Sequence, residues 1–213
     1  MKIKQVKIKQ LLKLNLLKSK VYEQPIKKMK FDNLIDSNLN KIIVDIKRVL
    51  QVIFQYHKIE KRILFVGLPY KLESKINRCT KHVAIPKNFT VQGMISNRDR
   101  KLPKVSLNSN KSWMKQSPKF LLPKLSKNLD LIVLFEHDKS KTIISEAEVA
   151  KIPLISFGMQ PNVINTALYR VEGNFKDILT NPNKNVFFMG LNFLFKDLKK
   201  KNIKYNKNTN KLF

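Results

Sequence analysis

ILFVG at residues 63–67 and LDLIVLF at residues 129–135 decide the fold of this 213-residue chain. Apart from Asp130, both runs are apolar, without the alternation of apolar and polar residues that marks a half-exposed strand. PLISF at residues 153–157 is of the same kind. Such runs are typical of strands buried on both faces of a parallel sheet. The three runs therefore predict an α/β fold with a parallel sheet.

Helical periodicity alternates with these strands. A short apolar run at 42–44 predicts another strand, with Asp45 capping the helix that follows it. HVAI at 82–85 and LYRV at 168–171 predict two further short strands. The apolar residues that recur at helical spacing fall into four groups: Ile46, Val49, Leu50 and Ile53; Leu72, Ile76 and Cys79; Ile143, Ile144, Ala147 and Ala150; Phe187, Leu191, Leu194 and Leu198. This alternation predicts a Rossmann-like, three-layer domain with helices on both faces of the sheet.

The charge of the chain is strongly positive and unevenly distributed. Forty-three Lys and Arg against fifteen Asp and Glu give a net charge of +28. Residues 1–30 and 86–127 carry +9 each, and residues 196–213 carry +6. So large an excess predicts a polyanionic partner, and nucleic acid is the leading candidate.

This charge map gives the domain organisation. We expect a basic N-terminal arm at 1–30, a single α/β domain at 31–195 and a basic tail at 196–213. Within the domain, residues 98–127 contain prolines and lysines without periodicity, which indicates a basic insertion outside the sheet. No stretch approaches the ~20 apolar residues of a membrane span. We expect an intracellular, soluble protein, and Cys79, as the lone cysteine, rules out a disulfide framework.

Gly67 raises the question of a nucleotide site, because a strand, a glycine and a helix in that order cradle phosphate in many enzymes. GLPYKL has one glycine where the dinucleotide and P-loop motifs need several, and Pro69 removes a backbone amide. We therefore predict a structural turn and no phosphate site for a free nucleotide.

The other candidate catalytic patterns each lack a required residue or motif. Cys79 and His82 have metal-like spacing, but no second pair accompanies them, and His57 and His137 stand alone in the sequence. Glu146 and Glu148, two apart on a helix, point in different directions, which favours solvent over a paired acid and base. Ser156 lacks a nucleophile elbow. We predict no enzymatic activity, no metal and no cofactor.

One resemblance remains, carried by five segments in order: NKIIVDIKRVLQVI, ILFVG, INRCTKHVAIPKNFTVQGMISNR, LDLIVLFEHDKSKTIISEAEVAKIPLISF and YRVEGN. They resemble the bacterial-type small-subunit ribosomal protein S-two family over residues 40–98 and 128–177. TVQGMISN resembles that family's W-x-G-G-M-L-T-N loop, with Gly93, Met94 and Asn97 matching and Thr90 and Gln92 differing. AEVAKIPLISF resembles its E-A-x-x-x-x-I-P segment.

The departures from the family pattern point to an organelle. The family's amino-terminal H-F-G-H segment is not recognisable, and Pro103, Pro118 and Pro123 disfavour its long helical hairpin. Lysine outnumbers arginine, and asparagine and isoleucine are abundant. This is the composition that AT-rich codons would supply. We expect a divergent mitochondrial member in the matrix, with a cytoplasmic bacterial-type ribosome as the alternative.

The resemblance implies a structural protein of the small ribosomal subunit, with rRNA and neighbouring ribosomal proteins as partners and with neither a membrane nor a small-molecule substrate. Its RNA contact would lie in and beside the loop at 87–101, through Lys87, Asn88, Gly93, Asn97, Arg98, Arg100, Lys101 and Lys104. Two alternatives stay open. One is an α/β enzyme acting on RNA or a nucleotide, and the other is a peripheral protein whose residues 8–20 lie on an anionic membrane.

Overall fold

The structure is a computed structural model that describes residues 2–18, 32–86, 93–96, 125, 128–135, 140–158, 167–173, 175 and 185–195. The tail at 196–213 lies outside the described residues, as does the insertion at 98–127 except for Leu125.

Five helices and five strands make up the described structure. The helices are α1 (Lys2–Lys18), α2 (Asp32–Lys58), α3 (Tyr70–Cys79), α4 (Ser140–Ala150) and α5 (Val186–Leu194). The strands are β1 (Ile63–Val66), β2 (Val83–Ile85), β3 (Leu131–Phe135), β4 (Leu154–Phe157) and β5 (Ala167–Val171).

The five strands form one sheet in the order β2-β1-β3-β4-β5, and every neighbouring pair is parallel. Every residue of β1, β2, β3 and β4 is buried. The predicted parallel α/β sheet is therefore confirmed. Because β1 leads to β2 on one side and the chain then crosses to β3 on the other, the order reverses between β1 and β3, as in doubly wound folds.

Each face of the sheet has its own hydrophobic core. Ile63 and Phe65 of β1 point to the first core, which α2, α3 and α5 cover. Leu64 and Val66 point to the second core, which contains Met94, Ile95, Leu125 and the apolar stripe of α4. The helices on both faces complete the predicted three-layer arrangement. From the N-terminal segment, α1 packs against α2 and α5, with Leu16 buried in the first core.

Phenylalanines dominate the first core where β3 and β4 meet α5. The rings of Phe135 and Phe157 stack at a centroid distance of 4.6 Å, and Phe187 lies 4.5 Å from Phe157. Phe175 and Phe188 complete the cluster. Burying each ring contributes roughly 1.5–3 kcal/mol, so this cluster holds α5 on the sheet.

The predicted strand at 42–44 is wrong, because these residues lie within the continuous helix α2. Leu39, Ile42, Ile46, Val49 and Ile53 are all buried in the first core. Their spacing forms one helical stripe that runs through the three-residue apolar run. Val44, in contrast, is largely exposed on the opposite side of the helix.

Asn77 of α3 closes the outer edge of β2. Its Nδ2 donates to the carbonyl of Ala84 at 2.7 Å, and its Oδ1 accepts from the Ala84 N–H at 2.8 Å. Unpaired groups at a sheet edge invite association with another strand, and Asn77 occupies both groups of Ala84. A side chain thus takes the place of a sixth strand at this position.

We expect Asn77→Ala to lower the free energy of unfolding by about 2 kcal/mol, because two buried backbone groups lose their partners. Chemical denaturation measures this change. Asn38→Ala, at an exposed position of α2, is the matched control and should change stability by less than about 0.5 kcal/mol. Sedimentation should also detect self-association of the Asn77→Ala variant and none of the Asn38→Ala variant. Equal stabilities of the two variants would contradict this role.

Candidate nucleic-acid interface

The centre of the predicted RNA-contact loop is a turn at residues 93–96, which lies on the second core. Gly93 has a φ of 76°, in the left-handed region that glycine adopts without steric cost. The side chains of Met94 and Ile95 are buried. Of the predicted site residues, only Gly93 is described; Lys87, Asn88, Asn97, Arg98, Arg100, Lys101 and Lys104 lie outside the described residues.

A carboxylate from α4 holds this turn. Glu146 accepts the Gly93 N–H at 2.7 Å on Oε1 and the Ile95 N–H at 2.8 Å on Oε2. The expectation that Glu146 points into solvent is therefore wrong. Glu146 stands three residues after Ile143 and four before Ala150, so it belongs to the buried stripe of the helix. That spacing is the sequence signal that could have identified its direction.

The helix α1 presents a basic surface on the other side of the sheet. Residues 2–18 contain six lysines and no acid, and Lys7, Lys9 and Lys18 are exposed. Large apolar side chains lie between them, each at least 41% exposed: Val6, Ile8, Leu11, Leu14 and Leu17. Apolar and basic residues are thus mixed around this helix, whereas a membrane-surface helix separates them onto two faces.

The carboxyl edge between β1 and β3 is where doubly wound folds usually bind their ligands. Here the Gly67 N–H donates to the carbonyl of Ile85 at 3.0 Å, so this amide is already used. Pro69, the N-cap of α3, makes no side-chain capping bond and has no N–H of its own. That Gly67 binds no nucleotide stays a prediction. The hydrogen bond that the Gly67 N–H already makes to Ile85 favours it.

Glu73 introduces a buried acid near this edge. It lies in the first turn of α3 with only 8% of its surface exposed, and burial raises its pKa to about 7. The folded state therefore favours the protonated acid, and its contribution to stability is lost as the pH rises from 4.5 through 7. A carboxyl group here also disfavours a bound phosphate, because its ionised form repels the phosphate charge.

Two histidines that are 25 residues apart in the sequence meet in the structure. His57 Nδ1 and His82 Nε2 are 2.8 Å apart, and His82 Nδ1 accepts the N–H of Ile63 at 3.3 Å. Because His82 accepts at Nδ1, it donates from Nε2 to His57, and both rings are neutral. The pair joins the end of α2 to the start of β1.

Acidification should weaken this joint. Burial lowers the pKa of His57 below 6.5, and Glu60 opposes that shift. The unfolded chain then binds the proton more readily, so stability is present above pH 6.5 and is lost as the pH falls through the folded-state pKa. We expect the wild type to lose stability relative to His57→Gln between pH 8 and pH 5. The amide oxygen of Gln accepts from His82 without titrating.

Denaturant titrations of both proteins at each pH measure the difference and cancel the contribution of Glu73. Parallel curves for the wild type and the variant would show that His57 is not the group responsible.

Within the described residues, no three His, Cys, Asp or Glu side chains are grouped so that they could hold a metal ion. None of the described helices is both long and apolar enough to span a membrane. A scan against protein-family models finds no match to the chain, and a search of curated proteins finds no relative.

Proposed function

We propose that this chain is a structural constituent of the small ribosomal subunit, a divergent mitochondrial member of the S-two family that binds rRNA and supports translation. The contact between Glu146 and the 93–96 turn supports this most directly. The turn belongs to TVQGMISN and Glu146 to LDLIVLFEHDKSKTIISEAEVAKIPLISF, and both segments resemble the family. Gly93 and Glu146 are 53 residues apart in sequence and adjoin in the fold.

The charge distribution supports the same function. Strands β1–β4 are fully buried and carry no charged side chain, whereas the chain carries an excess of 28 positive charges. Lys and Arg that neutralise RNA phosphates release counterions, which makes binding strong and dependent on salt. Such contacts position a protein on folded RNA without reading its sequence. A body of this kind with basic segments is suited to holding rRNA in place, and it needs no catalytic group.

The apolar side chains of α1 support protein neighbours as additional partners. Leu11 and Leu14 are more than half exposed, as is Phe193 on the adjacent α5. Exposed apolar side chains of this size mark surfaces that another protein covers. Binding to RNA phosphates would require only the lysines of this surface. We therefore assign its exposed apolar side chains to a neighbouring ribosomal protein.

The alternative, an α/β enzyme acting on RNA or a nucleotide, has one observation in its favour. A pKa of about 7 at Glu73 suits a general acid or base. The ribosomal proposal is preferred because the Gly67 N–H already donates to the carbonyl of Ile85 and because one buried acid does not by itself make a catalytic site.

Association with ribosomes tests the proposal. The tagged chain, expressed in its own cells, should co-sediment with mitochondrial small subunits after a high-salt wash, and ribonuclease should release it. An enzyme or a membrane-surface protein would remain in light or membrane fractions. Co-sedimentation with cytoplasmic subunits only would overturn the mitochondrial assignment and keep the ribosomal one.

Replacing Arg98, Arg100 and Lys101 together by Ala should weaken binding to small-subunit rRNA and flatten its salt dependence. Each lost phosphate contact reduces the slope of log K against log salt by roughly 0.7–0.9, so the triple variant should lose about 2–3. Filter binding across a salt series measures affinity and slope together. The thermal unfolding of the free protein should stay nearly unchanged.

A matched variant separates the loop from charge in general. Lys47, Lys58 and Lys71 are exposed on α2 and α3, and replacing all three by Ala removes the same charge. We expect a smaller effect on affinity and slope than for the loop variant. Equal effects would show that residues 98–101 are not the contact.

A further inference from the structure

The two hydrogen bonds of Glu146 connect a rigid helix to the loop that we propose as the RNA contact. On the helix side, Ile143, Ala147 and Ala150 anchor α4 in the second core. On the loop side, each carboxylate oxygen takes one backbone N–H, at 2.7 Å for Gly93 and 2.8 Å for Ile95. Hydrogen bonds from backbone amides to a carboxylate are about twice as strong as neutral ones. The buried side chains of Met94 and Ile95 therefore hold the turn on the second core, and the carboxylate of Glu146 holds its backbone.

The position of this clamp within the sequence is informative. The turn at 93–96 lies between Lys87 and Asn88 on one side and Asn97, Arg98, Arg100, Lys101 and Lys104 on the other. Glu146 thus fixes the backbone at the midpoint of the segment that carries the predicted phosphate contacts. Because Gly93 and Ile95 are already held in place, these residues lose less conformational entropy when the segment binds.

We infer that Glu146 is a positioning residue for rRNA binding, an acid that increases affinity for a polyanion by holding the contact loop. This inference rests on the proposed function. It also predicts whether RNA affinity rises or falls when this acid is removed. Removing an acid from an RNA-binding protein should strengthen binding, because one source of repulsion is lost. Removing Glu146 should weaken it.

The helix α4 offers a control for this sign. Glu148 lies two residues away, is exposed, and makes neither of the two bonds to the 93–96 turn. Glu148→Ala changes the net charge by the same amount as Glu146→Ala. We expect unchanged or slightly tighter rRNA binding for Glu148→Ala, and for Glu146→Ala a loss of ~10-fold, the equivalent of about 1.4 kcal/mol.

The experiment measures binding of the full chain to small-subunit rRNA across a salt series for the wild type and both variants. A residue that only stabilised the fold would leave the salt slope of the folded protein unchanged. Glu146→Ala should lower it, because fewer phosphates are engaged at once. Hydrogen exchange should show faster exchange at the amides of Gly93 and Ile95 in this variant, with β1 and β3 unaffected.

A second pair of variants keeps the test decisive if Glu146→Ala does not fold. Glu146→Gln keeps one acceptor oxygen for one of the two amides, and Glu148→Gln is its charge-matched partner. We expect the Glu146→Gln variant to bind more weakly than Glu148→Gln. Equal or tighter binding would overturn the positioning role.

The outcomes also distinguish this inference from the proposed function. If the wild type does not bind rRNA, the proposed function fails and the role of Glu146 fails with it. If the wild type binds and the variants at 146 and 148 behave alike, the function stands and the positioning role is overturned.

Discussion

The burial of strands β1–β4 on both faces of the parallel sheet is the constraint on which the rest of this structure depends. Every residue of β1, β3 and β4 is enclosed, and burying an unpaired charge there would cost far more than any contact could return. The segments that form these strands must therefore carry no charged side chain. Among the described residues, no Lys or Arg lies in β1–β4, Arg170 lies in the half-exposed edge strand β5, and the other basic residues lie in helices or between the elements. The same exclusion that builds the core thus builds a basic exterior.

The few polar side chains near the sheet mostly satisfy backbone groups. Asn77 bonds both groups of Ala84, and Asp130 accepts the N–H of Arg62 at 2.8 Å beside the start of β1. Glu146 does the same for the 93–96 turn. Backbone amides near a core need such partners, and a carboxylate is an effective one. Acids used in this way do not neutralise surface lysines, which leaves those lysines available for a polyanion.

The fold was largely predictable from the sequence, and the exceptions have physical causes. The runs at 63–66, 131–135 and 154–157 form strands because a short, predominantly apolar run without charged residues suits a doubly covered strand. Residues 42–44 looked the same locally but belong to α2, since Leu39, Ile42, Ile46 and Ile53 continue a helical stripe on either side. The helical stripe decides the structure of residues 42–44, because it buries more apolar surface than an isolated short strand would.

The candidate site was only partly predictable. Gly93 and its turn were identified from a motif, but the partner of that turn was not. The sequence by itself determined the fold class, the excess of basic charge and the segments that carry it, because composition and periodicity are local properties. Only the tertiary structure decided that Glu146 clamps the turn and that His57 meets His82. These contacts join residues 25 to 53 positions apart, and which side chains meet over such distances depends on how the helices pack across the sheet.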